Sequence, residues 1–193
     1  MNLRPNPARR SGKSQQAILA AALALCTERG YARVTVEGIA ARAGVSKKTI
    51  YRWWPSKGAL VLEAIDAAVI GSRPFPDTGD LAADLHAQMS AVVGLLAHPP
   101  LGPAYAGVLT EIQYDDDLAR TVQDVFIGPR LELATARLRS AQEQGVLPRD
   151  TDLGLAVEML YGPLYYRHTL RRPTYDADEL TRLIAHVLKA LGG

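Results

Sequence analysis

Ser46, Lys47, Lys48, Thr49, Tyr51 and Arg52 put six hydrogen-bond-donating side chains into seven consecutive positions, and Trp53 and Lys57 follow closely. Hydroxyls, ammonium groups, a phenol and a guanidinium are the groups that pair with phosphate oxygens and base edges. No histidine or carboxylate lies within that run to act as a general base, so it offers recognition rather than bond making. Elsewhere the chain holds no Gly-rich phosphate loop, no Gly-x-Ser-x-Gly and no His-Glu-x-x-His. His86, His98, His168 and His186 are scattered without ligand spacing. Asp115, Asp116 and Asp117, near Glu111, read as negative charge at the start of a helix, where the macrodipole favours it. Cys26 lies on an apolar stripe and reads as an inert core thiol. The expectation is a protein that is not an enzyme and needs no cofactor or metal.

Those donors need a scaffold, and the flanking residues describe one. A first helix is expected from about Ser14 to Arg29, with Gly30 as its stop. Thr35 sits at an N-cap position before Val36, Ile39, Ala40 and Ala43, which share one helical face. Gly44 supplies the tight turn, Ser46 caps a third helix running to about Trp53, and Pro55 closes it. Ser56 caps a fourth helix whose inner face carries Leu60, Val61, Ala64, Ile65 and Ala68. Val45 and Ile50, with Trp54 beyond them, fix the third helix inward, which turns Lys47, Lys48, Thr49, Tyr51 and Arg52 outward. This is a helix-turn-helix pattern.

Charge divides the chain at the same place. Residues 1–58 hold eleven Lys or Arg against Glu28 and Glu37, a net of +9, whereas residues 59–193 carry a net of −7. A basic head on an acidic body suits a nucleic-acid-binding module joined to a different kind of domain. Among 193 residues there are 29 Ala and 26 Leu against 13 Val and 8 Ile, which favours helices over strands. Further helices are expected near 80–97, 100–113, 116–144, 151–170 and 177–191, with Pro129 and Pro163 kinking or splitting theirs. The fold expected is all-α: a basic arm (1–13), a three-helix head (14–58), a connecting helix (59–71) and a helical bundle (72–193). Arg4, Arg9, Arg10 and Lys13 before the apolar run Ala17–Cys26 imitate a secretory leader, but no small-residue cleavage site follows. That run of ten is half a membrane span, and one cysteine fits a reducing compartment, so a cytoplasmic protein without a membrane partner is expected.

The run TVEGIAARAGVSKKTIYRWWPSKGALVLEAI, from Thr35 to Ile65, resembles the TetR family of bacterial transcriptional regulators. The family pattern is a Thr-capped helix, Ala-x-x-Ala-Gly-Val-Ser, Thr-Ile/Leu-Tyr, a His-Phe pair and Ser-Lys-x-x-Leu. Here Trp53 and Trp54 replace His-Phe, with Trp54 as a core aromatic. The resemblance implies that Lys47, Lys48, Thr49, Tyr51 and Trp53 lie at DNA and that Lys57 lies on a phosphate. A helix N-terminus offers backbone N–H groups to an anion there as well. The expected DNA-contacting set is Thr35, Ser46, Lys47, Lys48, Thr49, Tyr51, Arg52, Trp53 and Lys57, and Arg9, Arg10 and Lys13 read either as an inert tail or as an arm tracking phosphate or the minor groove.

For the body, the resemblance implies a homodimer on a palindromic operator, a repressor released by a small-molecule effector. Leu180, Leu183, Ile184, Val187 and Leu188 recur at helical spacing, as do Leu160 and Leu164 on the preceding helix, and these are the expected dimer contacts. Met89, Tyr105, Leu109, Phe126, Met159, Tyr161 and Tyr165, with Tyr166, supply the apolar walls and polar handles of an expected effector pocket. The alternative reading is a helical ligand-binding or enzymatic domain whose basic head binds nucleic acid without sequence preference.

Overall fold

The computed structural model describes residues 7–69 and 75–192, with side chains from residue 12 onward. Among the described residues the regular elements are all helical. They are α1 (Pro7–Arg29), α2 (Val36–Ala43), α3 (Lys47–Tyr51), α4 (Lys57–Ala68), α5 (Leu81–Ala97), α6 (Leu101–Glu111), α7 (Asp116–Thr121), α8 (Gly128–Glu143), α9 (Leu153–Thr169) and α10 (Ala177–Ala190). A 3-10 turn spans Tyr31–Arg33 and a π-helical turn spans Val122–Ile127. No single helix among the described residues is long and apolar enough to cross a membrane.

Side-chain caps set most helix starts. Thr35, Ser46, Ser56, Asp80, Asp115, Asp152 and Asp176 each accept the backbone N–H three residues on. Each such cap stabilises its helix by about 1 kcal/mol. Gly44 ends α2 at φ 66°, in the left-handed region where a Cβ is disfavoured.

The start of α1 and the course of α9 differ from expectation. α1 begins at Pro7, whose fixed φ suits a first helical residue, so residues 7–13 of the expected arm are helical; residues 1–6 lie outside the described residues. As expected of Pro129, the helix over 116–144 is split, into three pieces, because Pro129 has no N–H and its ring crowds the carbonyl four residues back. The wider i to i+5 turn before it takes up the mismatch. Pro163, by contrast, leaves α9 unsplit.

The chain forms two compact units. α1–α4 pack with α6 and α7, and α5 packs with α8, α9 and α10. In the first unit the core is Ile18, Ala22 and Leu25 of α1, Ile39 of α2, Ile50 of α3, and Leu60, Ala64 and Ile65 of α4. Two close approaches bring α6 and α7 here. A methyl group on Gly107 of α6 would overlap the Tyr31 ring, and one on Gly58 of α4 would overlap Leu118 of α7.

The second unit buries Leu85, Met89, Leu138, Ala156, Leu160, Leu164, Leu180, Ile184 and Val187. It also buries one ion pair. Asp84 accepts from Thr78 (backbone N–H 3.0 Å, hydroxyl 2.8 Å) and from Arg137 Nε at 2.9 Å. Burial alone would raise the Asp84 pKa, but the Thr78 and Arg137 bonds outweigh it and hold the carboxyl below its ordinary range.

This core corrects the expected dimer surface. Leu160, Leu164, Leu180, Ile184 and Val187 are at most 5% exposed within the chain itself, so they are not available to a second subunit. Leu183 and Leu188 stay half-buried. The outward face of α9 instead carries Leu155, Gly162, Tyr166 and Leu170, all exposed, with Met159 and Pro163 half-buried between them. These fall at i, i+4, i+7, i+8, i+11 and i+15, a continuous apolar stripe opposite the buried one.

Candidate nucleic-acid interface

The interface is built on α3, a helix of five residues that neighbouring groups must hold in place. Gly44 turns the chain out of α2, and the Val45 N–H returns to the Ala40 carbonyl at 3.0 Å. Ser46 Oγ accepts the Thr49 N–H at 3.2 Å and lies 3.0 Å from the Thr49 hydroxyl. Thr35 Oγ1 accepts the Gly38 N–H at 3.1 Å in the same way at the start of α2. Thr35, Ser46 and Thr49 therefore spend their oxygens on the backbone and on each other, and act as fasteners of the motif. Ile50, 1% exposed, anchors the underside of α3.

The upper side of α3 is open. Lys47, Lys48, Tyr51 and Arg52 are exposed, Tyr51 by 53%. Lys47 donates to Glu37 of α2 at 2.9 Å, and that bond holds Glu37 below and Lys47 above their ordinary pKa ranges. The pair is solvated and exchanges readily for a stronger partner. Arg52 lays its guanidinium 5.3 Å from the Trp53 ring centre. Trp53 meets Trp54 edge-on, centroids 5.5 Å apart and planes at 83°. Trp54 is buried, and its Nε1–H donates to Glu63 of α4 at 2.6 Å.

Lys57 stands apart from this open face. Its ammonium lies 3.6 Å from Glu111 at the end of α6 and 4.1 Å above the Tyr31 ring. Tyr31 donates its hydroxyl to the same carboxylate at 2.5 Å. Burial first, and then the Glu111 carboxylate, push the Tyr31 phenol far above its ordinary pKa, so it stays a donor. In this structure Lys57 is engaged within the protein, and reaching a phosphate requires it to leave Glu111. Arg9 and Arg10 have side chains outside the described residues, whereas Lys13 is exposed.

The expected pocket residues are drawn from both units. Tyr105 and Leu109 lie on α6 in the first unit, and Met89, Phe126, Met159, Tyr161 and Tyr165 belong to the second. Met159 lies on the outward stripe of α9, two residues and half a turn from Tyr161. Tyr161 is buried, its hydroxyl has no hydrogen-bond partner among the described residues, and burial raises its pKa. Two surface grooves of the second unit, about 500 and 370 Å³, are lined by other residues, chiefly of α5 and α10. Cys26 is buried, which pushes its thiol up to about 11, away from reactivity.

Sequence reasoning missed Tyr31, Glu111, Glu63 and Arg137. Glu111 lies 54 positions beyond Lys57, so no local spacing links them. For Glu63 a signal existed: a buried indole needs an acceptor, and position 63 follows Trp54 by nine residues on the next helix.

Residues 18–64 match the family model of bacterial regulatory proteins of the tetR family, and residues 75–187 match that of the tetracyclin repressor-like C-terminal domain. The HTH-type transcriptional regulator YdeS of Bacillus subtilis is 32% identical over 178 residues, covering 92% of this chain and 89% of the relative. The DNA-binding transcriptional repressor TetR of Mycobacteroides abscessus is 34% identical over 182 residues, covering 91% and 92%. The crystal structure of the TetR family transcription regulator SCO0332 superposes with a TM-score of 0.74 at 35% identity, covering 92% of this chain and 97% of that one.

Proposed function

The chain belongs to the TetR family of bacterial transcriptional regulators, and from that membership we propose that α3 reads the major groove of a palindromic operator as half of a two-fold dimer. The family's members are DNA-binding regulators, not enzymes, with an amino-terminal DNA-binding domain and a carboxy-terminal ligand-binding domain. They act as dimers with small-molecule effectors.

One observation carries the proposal. α3 is pinned below by Ile50 and above presents Lys48, Tyr51 and Arg52 to solvent. Tyr51 and Lys48 contact base edges, Arg52 and Trp53 flank them, and Lys47 exchanges Glu37 for a phosphate. Lys57 reaches a phosphate beside the α4 N-terminus once it leaves Glu111. Arg9, Arg10 and Lys13, at the start of α1, track the backbone. The protein works as a repressor in the cytoplasm.

The dimer forms through the outward stripe of α9, from Leu155 to Leu170, with the half-buried Leu183 and Leu188 of α10 as further contacts. Two-fold symmetry makes such a face complementary to itself, and it sets two recognition helices about one DNA turn, roughly 34–36 Å, apart. An effector binds in the carboxy-terminal domain, where the unpartnered Tyr161 hydroxyl is the polar handle that the buried interior offers it.

Enrichment of genomic fragments by the purified protein, followed by footprinting, tests this. A short palindrome protected more strongly than random duplex is the expected result. Equal affinity for every duplex would refute it and favour a head without sequence preference.

A further inference from the structure

Glu63 of α4 ties three elements of the head together. One carboxylate oxygen accepts the Trp54 indole N–H at 2.6 Å and the other accepts the Gln15 amide of α1 at 2.7 Å. Both bonds are short and charge-assisted, the strongest kind available to neutral donors. The indole is 3% exposed, so no solvent stands in for the carboxylate if it leaves. Beyond Trp54 the contacts run outward. Its ring meets the edge of Trp53, and the Trp53 ring carries the Arg52 guanidinium. The family pattern places Phe where Trp54 stands, a ring with no hydrogen to give. In this chain the indole brings a donor and Glu63 supplies its acceptor.

We infer that Glu63 is a positioning residue for DNA recognition, which acts through Trp54 to fix Trp53 and Arg52 at the carboxy-terminal end of α3. α3 has fewer than two turns, so its end cannot be held by its own backbone bonds alone. Ile50 and the Ser46 cap fix its start and middle, and the Glu63–Trp54 bond fixes the two residues that follow it. Glu63 is half-buried on α4, and its function is to set the angle of side chains that touch DNA. The inference rests on the reading that the open side of α3 faces the major groove.

The test uses the full-length chain, the operator duplex recovered by genomic enrichment and a random duplex of equal length. Wild type is compared with Glu63→Leu, Glu63→Gln, Trp54→Phe and the double variant Glu63→Leu/Trp54→Phe, well below the melting temperature of each. Glu63→Leu should lower the operator-to-random affinity ratio about tenfold, the scale of one misplaced base contact. Its salt dependence should match wild type, because no phosphate contact is lost. Glu63→Gln keeps an acceptor for the indole and should hold the ratio within about twofold, and the double variant should recover part of the loss, since both buried partners leave together.

A folded Glu63→Leu protein with an unchanged ratio, or one weakened equally on both duplexes, overturns the inference. If Glu63→Leu does not fold, Trp54→Phe alone must lower the ratio, and an unchanged ratio there overturns it too. Tyr51→Ala separates the two possible failures. A lowered ratio in Tyr51→Ala with none in Glu63→Leu removes only the role of Glu63, whereas no change in either removes the recognition face with it.

Discussion

Replacing Glu111 by Gln should strengthen operator binding. In the free protein the Lys57 ammonium is 3.6 Å from the Glu111 carboxylate, and the two side chains are 23% and 31% exposed. Two unit charges at that distance attract by about 1.2 kcal/mol in bulk water and about 4.6 kcal/mol at an effective dielectric of 20. Partial exposure and the entropy of holding two long side chains pull the net value toward the lower figure, roughly 1 kcal/mol. Lys57 must give that up to reach a phosphate. Removing the charge therefore raises affinity about fivefold per subunit, and about thirtyfold for a dimer that uses both heads. The Tyr31 hydroxyl keeps an acceptor in the Gln amide, so the local packing survives.

The assay is a salt titration of operator affinity by fluorescence anisotropy, with Glu111→Gln measured alone and in a Lys57→Ala background. In the single variant the gain should be largest at low salt and shrink as salt screens the released ammonium. In the Lys57→Ala background the gain should be only the residue of a lost repulsion between Glu111 and DNA. Unchanged affinity in the single variant, or an equal gain in both backgrounds, would refute the competition.

Three further outcomes follow from the same geometry. Tyr51→Ala should cost about 1–3 kcal/mol of discrimination between operator and random duplex, read as a ratio of dissociation constants, with little change in melting temperature. Leu155→Glu, on the outward face of α9, should give folded monomers by sedimentation, whereas Leu180→Glu, aimed at the core, should unfold the second unit by circular dichroism. Arg167 binds Glu179 through two bonds of 2.9 and 3.0 Å, and those bonds hold the Glu179 carboxyl at about 2, against an ordinary 4.5. The lowered value means this pair stabilises fully above about 4.5 and is lost as pH falls through about 2; carboxyl NMR of Arg167→Gln should show Glu179 titrating higher than in wild type yet still below its ordinary value, because the Asp176 N–H and Arg182 remain.

The head was legible in sequence because its decisive signals are local. A cap such as Thr35 or Ser46 bonds three residues ahead, and Gly44 declares a left-handed turn by its own type. The run Asp115–Asp117 was legible as charge at a helix start, and the structure adds that Asp115 caps that helix by accepting the Leu118 N–H. Helix α9 was harder. It carries apolar residues on two opposite faces, Ala156, Leu160 and Leu164 on one, Leu155, Met159 and Tyr166 on the other. Periodicity detects both stripes and cannot say which one the chain's own core consumes. The expectation took the stripe with more leucines, and burial assigns that one to the interior. The partners of Lys57 were illegible for another reason. Its type and its place at a helix start both suit a phosphate, but its partners in the free protein come from Tyr31 and from α6, and only folding brings them together.

The packing of α6 and α7 with α1–α4 also governs how this protein can be recombined. A hybrid regulator joined once, after α4, would inherit the reading head without the residues that complete it. Tyr31 would lose the α6 backbone at Gly107 and its Glu111 acceptor, Gly58 would lose Leu118, and the ammonium of Lys57 would lose its counter-charge. What moves as one piece is α1–α4 together with residues 99–123, so the chain passes between the two units three times. A transferable head therefore needs three seams, near residues 71, 98 and 123, and single-crossover shuffling between relatives will preserve it only when both parents carry compatible partners on either side.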